Sequence, residues 1–331
     1  MTFQTMPISL IMTVRNEAAS IARLLDSVLA QTLQPDEVVI ADGGSTDGTQ
    51  EVISSYMDRL PVRLLALPGA NISEGRNAAI RNARYDIIAA TDAGVRLEPG
   101  WLAALVGPLL EEGDAVDVVS GFFLPDPQTP FEVAMGATVL PALEEIDPAT
   151  FLPSSRSVAF RKAAWEAVGG YPEWLDYSED LVFDLRLKES GYRFRFAPEA
   201  RVHFRPRSNL RAFFLQYYRY ARGDGKADLW RKRHAIRYAT YIVGPLAAGW
   251  AWRHRRGAIG KGLFGLMGVA GGAYCRRPYM RLLRLWSGLP LGFRLYAVAL
   301  VPVIRLAGDV AKMLGYPVGV WWRLRRGKDV R

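Results

Sequence analysis

An α/β fold built on a mostly parallel sheet is predicted for the N-terminal part of this sequence by three observations. Short apolar runs alternate with amphipathic segments, the runs are apolar on both faces, and acidic or hydroxyl residues gather where the runs end. Such alternation implies right-handed strand–helix–strand crossovers. Strands without a polar face imply helices on both sides of the sheet, and polar clusters at strand C-termini lie where open sheets hold ligands.

The elements follow in order. Residues 8–14 are a strand-length apolar run ending in Thr13-Val-Arg-Asn-Glu17, and helical periodicity covers about 18–31. A second strand, about 36–42, runs into Asp42-Gly-Gly-Ser-Thr-Asp-Gly-Thr49 and a helix over about 47–58. Glycines in that turn, Gly44 among them, let the backbone bend tightly and approach a ligand, while Ser45 and Thr46 are suited to cap the helix. A strand at 62–67 precedes a helix at 73–84 that carries Arg76-Asn77; a strand at 86–91 ends in Asp92-Ala-Gly94; a helix at 99–112 leads to a strand at 115–123. Residues 124–155, rich in proline and acidic groups, read as a connection with one helix. A strand at 156–161, a helix from about 180 opened by Ser178-Glu-Asp180, strands at 193–197 and 200–205, and a helix from Asn209 to Arg222 complete this part.

The 331 residues, half of them apolar by type, suffice for one large or two unequal domains with a core, and exclude a disordered or fibrous chain. A single cysteine, Cys275, excludes an intramolecular disulfide. No basic start followed by a long apolar stretch precedes the first strand, so no cleavable signal peptide is expected. The net charge of +9 conceals a division: residues 1–204 carry 16 Lys/Arg against 29 Asp/Glu, and residues 205–331 carry 26 against 4. The basic part interleaves its cations with Trp, Tyr, Leu and Val and has no zinc-finger or basic-zipper pattern. An anionic membrane face, not nucleic acid, is therefore the expected partner. Its apolar stretches, 235–252, 258–274 and 289–304, are near or below the ~20 residues that span a bilayer and are flanked or interrupted by cations such as Arg237, Lys261, Arg294 and Arg305. Helices lying on the membrane, spanning helices and a soluble helical cap all remain open. The segment 309–319 with Trp321 and Trp322 suits an amphipathic helix at headgroup level.

Taken in order, the Thr13–Glu17, Asp42–Thr49, Arg76-Asn77, Asp92–Gly94 and Ser178–Asp180 elements resemble the family 2 glycosyltransferases of the GT-A fold over roughly residues 7–225. The resemblance implies a GT-A catalytic domain over 1–225, with a nucleotide-binding half at 1–125 and an acceptor half at 126–225, and a basic helical membrane-associating region at 226–331. It implies an inverting transfer from a nucleotide-diphosphate sugar, with UDP favoured over GDP, to a carbohydrate or lipid-linked acceptor at the cytoplasmic face of a membrane.

Residue by residue, the resemblance places Thr13, Arg15, Glu17, Asp42 and Gly44 at the base and ribose, and Arg76 at the nucleotide or its phosphates. Glu17 also reads as an acid at a helix N-terminus. Asp92 falls where the family has Asp-x-Asp, but Gly94 replaces the second carboxylate, so a Mg2+ or Mn2+ ion would have Asp92, with His203 as a further candidate ligand. Arg205, Arg207 and Arg222 are the alternative source of positive charge. Asp180 matches the catalytic base, with Glu179 positioning it or the sugar. Trp174 offers a stacking face for a sugar or belongs to the core. Gln216-Tyr-Tyr-Arg-Tyr220 resembles the Gln-x-x-Arg-Trp element of polysaccharide synthases; on a helix Gln216, Arg219 and Tyr220 share a face toward acceptor or diphosphate. Two rivals are a nucleotidyltransferase, whose Gly-rich, Lys-containing first loop is absent from Thr13–Glu17, and an inactive nucleotide-binding membrane scaffold of the same fold.

Overall fold

The structure, a computed structural model, describes residues 6–326. Its contacts divide the chain into two compact units, one of residues up to Asp126 with Leu143–Arg205, the other of Pro127–Ala142 with residues from Pro206 onward.

The first unit is a curled sheet of eight strands with helices on both faces. In chain order it contains β1 (Ile8–Val14), α1 (Ile21–Leu29), β2 (Glu37–Asp42), α2 (Thr49–Ser54), β3 (Val62–Ala66), α3 (Ile72–Asn82), β4 (Ile87–Asp92), β5 (Val95–Leu97), α4 (Trp101–Glu111) and β6 (Val118–Pro125). After α5 (Pro130–Val139), which belongs to the other unit, come β7 (Val158–Arg161), α6 (Lys162–Ala167), α7 (Glu179–Glu189) and β8 (Phe194–Phe204). The strand order is β3-β2-β1-β4-β7-β6-β8-β5. β3, β2, β1 and β4 run parallel, β7 and β5 antiparallel to their neighbours, and β6 pairs β8 in parallel. The result is a mixed α/β sheet, parallel from β3 through to β4.

The core explains the order. Every residue of β2 is buried, and so are nearly all of β1 and β4, because helices cover both faces. One face packs Leu10, Met12, Val38, Ile40 and Ile87 under α1 and α4, and the other packs Ile11, Val39 and Ile88 under α3 and α7. Register then aligns the strand ends, with Thr13 opposite both Ala41 and Asp92, and Val14 opposite Asp42. At about 25 cal/mol per Å2 of buried apolar area, these layers hold the strand ends as a rigid platform.

Two local readings change. β5 is too short for its pattern to show, and the two strands expected at 193–197 and 200–205 are one strand, β8, whose irregularity is absorbed by a register shift opposite Ser120 and Phe122. Gly121 sits at that shift, where a Cβ would lie 2.6 Å from the Ala200 carbonyl oxygen.

The second unit is helical: α5, α8 (Leu210–Ala227), α9 (Arg231–Arg253), α10 (Ala258–Arg284) and α11 (Leu291–Arg326). Residues 127–142 and 206–225, placed by sequence in the acceptor half, thus cluster with the C-terminal helices. α8 and α11 make the most intimate contact, built on Gly225, Gly315 and Gly319, each of which touches backbone of the facing helix. The segment 309–319, expected in an amphipathic helix, is the middle of α11. Asp309 is turned inward there, accepting from Arg237 Nε at 2.7 Å, Tyr241 at 3.2 Å and Tyr274. No helix among the described residues is long and apolar enough to cross a membrane.

Candidate functional site

Two loops at the C-terminal edge of the sheet are knitted together by short polar side chains. Asn16 takes a left-handed conformation (φ 55°), which Asn tolerates better than most residues. Its backbone N–H donates to Ser45 Oγ at 2.9 Å and its side-chain oxygen accepts from the Thr46 N–H at 2.9 Å. The Glu17 N–H donates to Thr49 Oγ1 at 2.8 Å, and Glu17 accepts from the Ser20 hydroxyl. Asp42 is fully buried and accepts from the Ser45 N–H at 3.0 Å, the Ser45 hydroxyl at 2.6 Å and the Gln50 amide. Its carboxylate therefore shapes the turn. Gln50, one of its partners, was not singled out by sequence; the signal was its place on the first turn of the following helix. Gly44 has φ +93°, and a Cβ there would press on Pro68 at 3.2 Å, so this turn requires glycine. Arg15 is exposed beside it.

α3 begins against the end of β1. A Cβ on Gly75 would meet Thr13 Cγ2 at 2.9 Å, so glycine permits the approach that carries Arg76 beneath the strand ends. A capping box, Asn71 with Glu74, fixes the helix start. Arg76, its side chain only 4% exposed, forms two ion pairs: Nη2 to Asp92 Oδ1 at 2.8 Å and Nη1 to Glu179 Oε1 at 2.7 Å. Its guanidinium also stands 5.3 Å from the Tyr171 ring centroid. Asn77 anchors the segment before α7, donating to the Tyr171 carbonyl at 2.8 Å and accepting from the Tyr171 N–H at 2.9 Å.

The structure thus joins Arg76, Asp92 and Glu179, which are 16 and 103 residues apart. Ser178, left-handed at φ 65°, turns the chain so that Glu179 and Asp180 open α7 at this point. Left-handed backbone is costly for a residue with a Cβ. Asp180 is half-buried, and its Oδ1 accepts from the Leu181 N–H at 2.8 Å.

Electrostatics here are those of several carboxylates sharing one buried cation. Burial alone would discharge Arg76, but Asp92 and Glu179 hold it more firmly protonated than usual. Glu179 nevertheless moves the opposite way to an ordinary ion-pair partner: burial and neighbouring Asp180 push it up to about 7, against the pull of Arg76. The single charge of Arg76 is divided between two carboxylates, so it cannot offset both. Arg156, which sequence reading had left as a strand start, adds a second cation, its Nε 3.5 Å from Asp92 Oδ2.

The remaining expected site residues make contacts of their own. His203, on β8, bonds Glu98 Oε1 at 2.9 Å. Among the described residues no group of three His, Cys, Asp or Glu is arranged to hold a metal ion, so Asp92 and His203 are not parts of a ready-made cage. Trp174 is half-buried in the segment before α7. Gln216, Arg219 and Tyr220 lie on α8 in the helical unit, where the Gln216 amide donates to the Tyr220 hydroxyl at 2.8 Å.

Known proteins resemble this chain in sequence and in fold. The family model "Glycosyl transferase family 2" matches residues 9–166, and "Glycosyl transferase family group 2" matches residues 146–322. The chain is 31% identical over 231 residues to the succinoglycan biosynthesis protein ExoA of Rhizobium meliloti (strain 1021), covering 64% of this chain and 67% of that protein. It is 28% identical over 196 residues to the hyaluronan synthase of Pasteurella multocida, covering 58% of this chain but 19% of that much longer protein. Among solved structures, the mannosyltransferase PcManGT from Pyrobaculum calidifontis in complex with GDP-Man and Mn2+ superposes with a TM-score of 0.56 at 19% identity, covering 98% of this chain and 88% of that one. By sequence and by fold, the chain belongs to glycosyl transferase family 2 and is a glycosyltransferase of the GT-A type.

Proposed function

We propose that the enzyme transfers a sugar, with inversion, from a nucleotide-diphosphate donor to a carbohydrate or lipid-linked acceptor in cell-surface glycan synthesis. The observation that carries this reading is the buried Glu179–Arg76–Asp92 chain, which supports the start of α7 beside the end of β4. Asp180 is the base. Its carboxylate takes the acceptor hydroxyl proton as that oxygen forms a bond to the anomeric carbon; the bond from that carbon to the diphosphate oxygen breaks on the opposite face, its electron pair leaving with the diphosphate. Glu179, held by Arg76, fixes the orientation of the helix turn that presents Asp180. Thr13, Arg15, Glu17, Asp42 and Gly44 form the nucleoside cradle, with carboxylates suited to the N–H and hydroxyl donors of uracil and ribose. UDP is the favoured nucleotide, although the Pyrobaculum calidifontis mannosyltransferase was solved with GDP-Man.

For the diphosphate, the described residues offer a cation one carboxylate, Asp92, which already faces Arg76 and Arg156. That donor set fits an ion held largely through the substrate's own oxygens, with Asp92 as its protein ligand, and such an ion would supply charge neutralisation to the leaving group. Arg156 and Arg76 provide positive charge at the same place. On α8, Gln216, Arg219 and Tyr220 are assigned to acceptor or diphosphate from the motif.

The helical unit is assigned to an anionic, cytoplasmic membrane surface. Its helices expose Ile236, Leu246, Trp252, Leu266, Leu295 and Leu324, and arginines stack on the tryptophans, Arg255 on Trp252 at 4.6 Å and Arg325 on Trp321 at 4.1 Å. Apolar faces with basic, aromatic margins, on helices too polar to span, suit the headgroup level. Isothermal titration with UDP, GDP and their sugar derivatives, with Mn2+, Mg2+ or chelator, tests the donor reading. Selective binding of UDP-sugars weakened by chelator is expected; no binding of any nucleotide overturns it.

A further inference from the structure

Asp184 is a buried carboxyl for which the reaction has given no use. It lies one turn beyond Asp180 on the same face of α7, and it is 3% exposed. Its Oδ2 is buried with no hydrogen-bond partner among the described residues. Phe183, the preceding residue, stacks on Tyr171 with ring centroids 4.3 Å apart. The charged and titratable groups that face it are Asp180 and Glu179 on its own helix, Arg76 on α3, and Tyr171 in the segment before α7. Arg76 is already paired with Glu179 and Asp92, so no cation remains for Asp184.

We propose that Asp184 is a positioning residue that stays neutral one turn behind Asp180, leaving Asp180 as the carboxylate that ionises and takes the acceptor proton. This rests on the reading of Asp180 as the base. An ionised Asp184 would be an unpaired buried anion next to two others, a state proteins avoid by retaining the proton. Burial and neighbouring Asp180 hold its carboxyl well above the usual aspartate range, with Arg76 only partly opposing them. A neutral Asp184 also leaves the charge of Arg76 to Asp92 and Glu179, the two carboxylates it already serves.

The test is infrared spectroscopy of the full-length protein with its aspartates labelled by 13C, which separates Asp184 from Glu179. At about pH 7, where ordinary aspartates with pKa of about 3.9 are ionised, the wild-type protein is expected to show a protonated aspartate carboxyl band. That band should vanish in Asp184→Asn and persist in Asp180→Asn. As pH rises from about 4 to about 8, the thermal midpoint of the wild-type protein should fall relative to that of Asp184→Asn, because unfolding releases a proton that the folded wild type keeps, and that release is increasingly favoured above the unfolded aspartate pKa of about 3.9. Absence of any protonated aspartate band in the wild type, a reading that needs no variant to fold, overturns the proposal. An acid limb of the kcat/KM profile displaced to lower pH in Asp184→Asn also overturns it, because that displacement would show a negative charge at Asp184 in the working enzyme. Full activity of Asp180→Asn with the band intact would remove the base assignment and the positioning role together, while the missing band removes Asp184 alone.

Discussion

Replacing Gly319 by alanine is expected to destabilise the helical unit although alanine is the better helix former. A Cβ built on Gly319 lies 2.7 Å from the Lys226 backbone nitrogen and 2.8 Å from Gly225 Cα, and closer still to the Arg222 carbonyl oxygen. All three are backbone of α8, so no rotamer change relieves the clash. Reaching ordinary contact at 3.4 Å from 2.7 Å at the Lys226 nitrogen requires α8 and α11 to part by about 0.7 Å, and the closer Arg222 oxygen requires more. Overpacking of this kind costs about 1–3 kcal/mol or more, against about 1 kcal/mol gained from helix propensity. Taking the upper figure, because backbone atoms cannot yield by a rotamer change, the net expectation is a loss of about 2 kcal/mol. Gly315→Ala, one turn away, meets Tyr218 and Arg222 backbone in the same interface. The double variant should cost less than the sum of the two, since one separation relieves both. Gly271 on α10 has open space around its Cβ position, so Gly271→Ala is the control and should stabilise by about 0.5–1 kcal/mol. Urea unfolding of the four variants and the wild type decides it. A Gly319→Ala protein as stable as the wild type, or as the Gly271→Ala control, would refute the packing argument.

Three further outcomes are expected. Glu179 is pushed up from 4.5 to about 7, so between those values the folded protein holds a proton that the unfolded chain has released. Stability should fall as pH rises through that window, by an amount on the order of 3 kcal/mol for one proton, and Glu179→Gln should flatten the slope in pH-dependent melts. Arg76→Lys keeps the charge but cannot reach both Asp92 and Glu179 with a fixed fork; kcat/KM should fall at least about tenfold, roughly 1.4 kcal/mol in the barrier, and unchanged kinetics would contradict the role given to the chain. Binding to vesicles containing anionic lipid should weaken steeply with salt, while neutral vesicles bind little; salt-independent binding would argue against the electrostatic part of the membrane assignment.

How much of this was legible follows from the range of each signal. β1, β2 and β4 could be read because each is buried on both faces and ends in a polar turn, a pattern contained within ten residues. Asp42, Gly44 and the turn they share could be read for the same reason. β5 has three residues, too few for a period, and the break at Ala197-Pro-Glu199 made β8 look like two strands although the sheet shifts register to keep it whole. The antiparallel entry of β7 between β4 and β6 is a matter of topology, which local pattern does not carry. Arg156 and the Glu179–Arg76–Asp92 chain depend on contacts between distant residues, so sequence gave the members without the bond. The reverse holds for α11: glycines at 308, 315 and 319 were visible, but only the structure shows Phe213 on α8 facing the first of them and α8 backbone facing the other two. The 309–319 segment could be read as amphipathic from its pattern, but Arg237, Tyr241 and Tyr274, the partners of Asp309, lie 35 or more residues away and only the structure shows them.

The central claim is that Asp180 removes the acceptor proton in a single inverting displacement. Its most direct test is proton NMR of the product formed from an α-linked UDP-sugar by the wild-type enzyme, with the rate of Asp180→Asn measured beside it. The β-linked product, with turnover in Asp180→Asn lowered by about 10²–10⁴-fold, is the expected result. An α-linked product, or an Asp180→Asn enzyme as fast as the wild type, would contradict it.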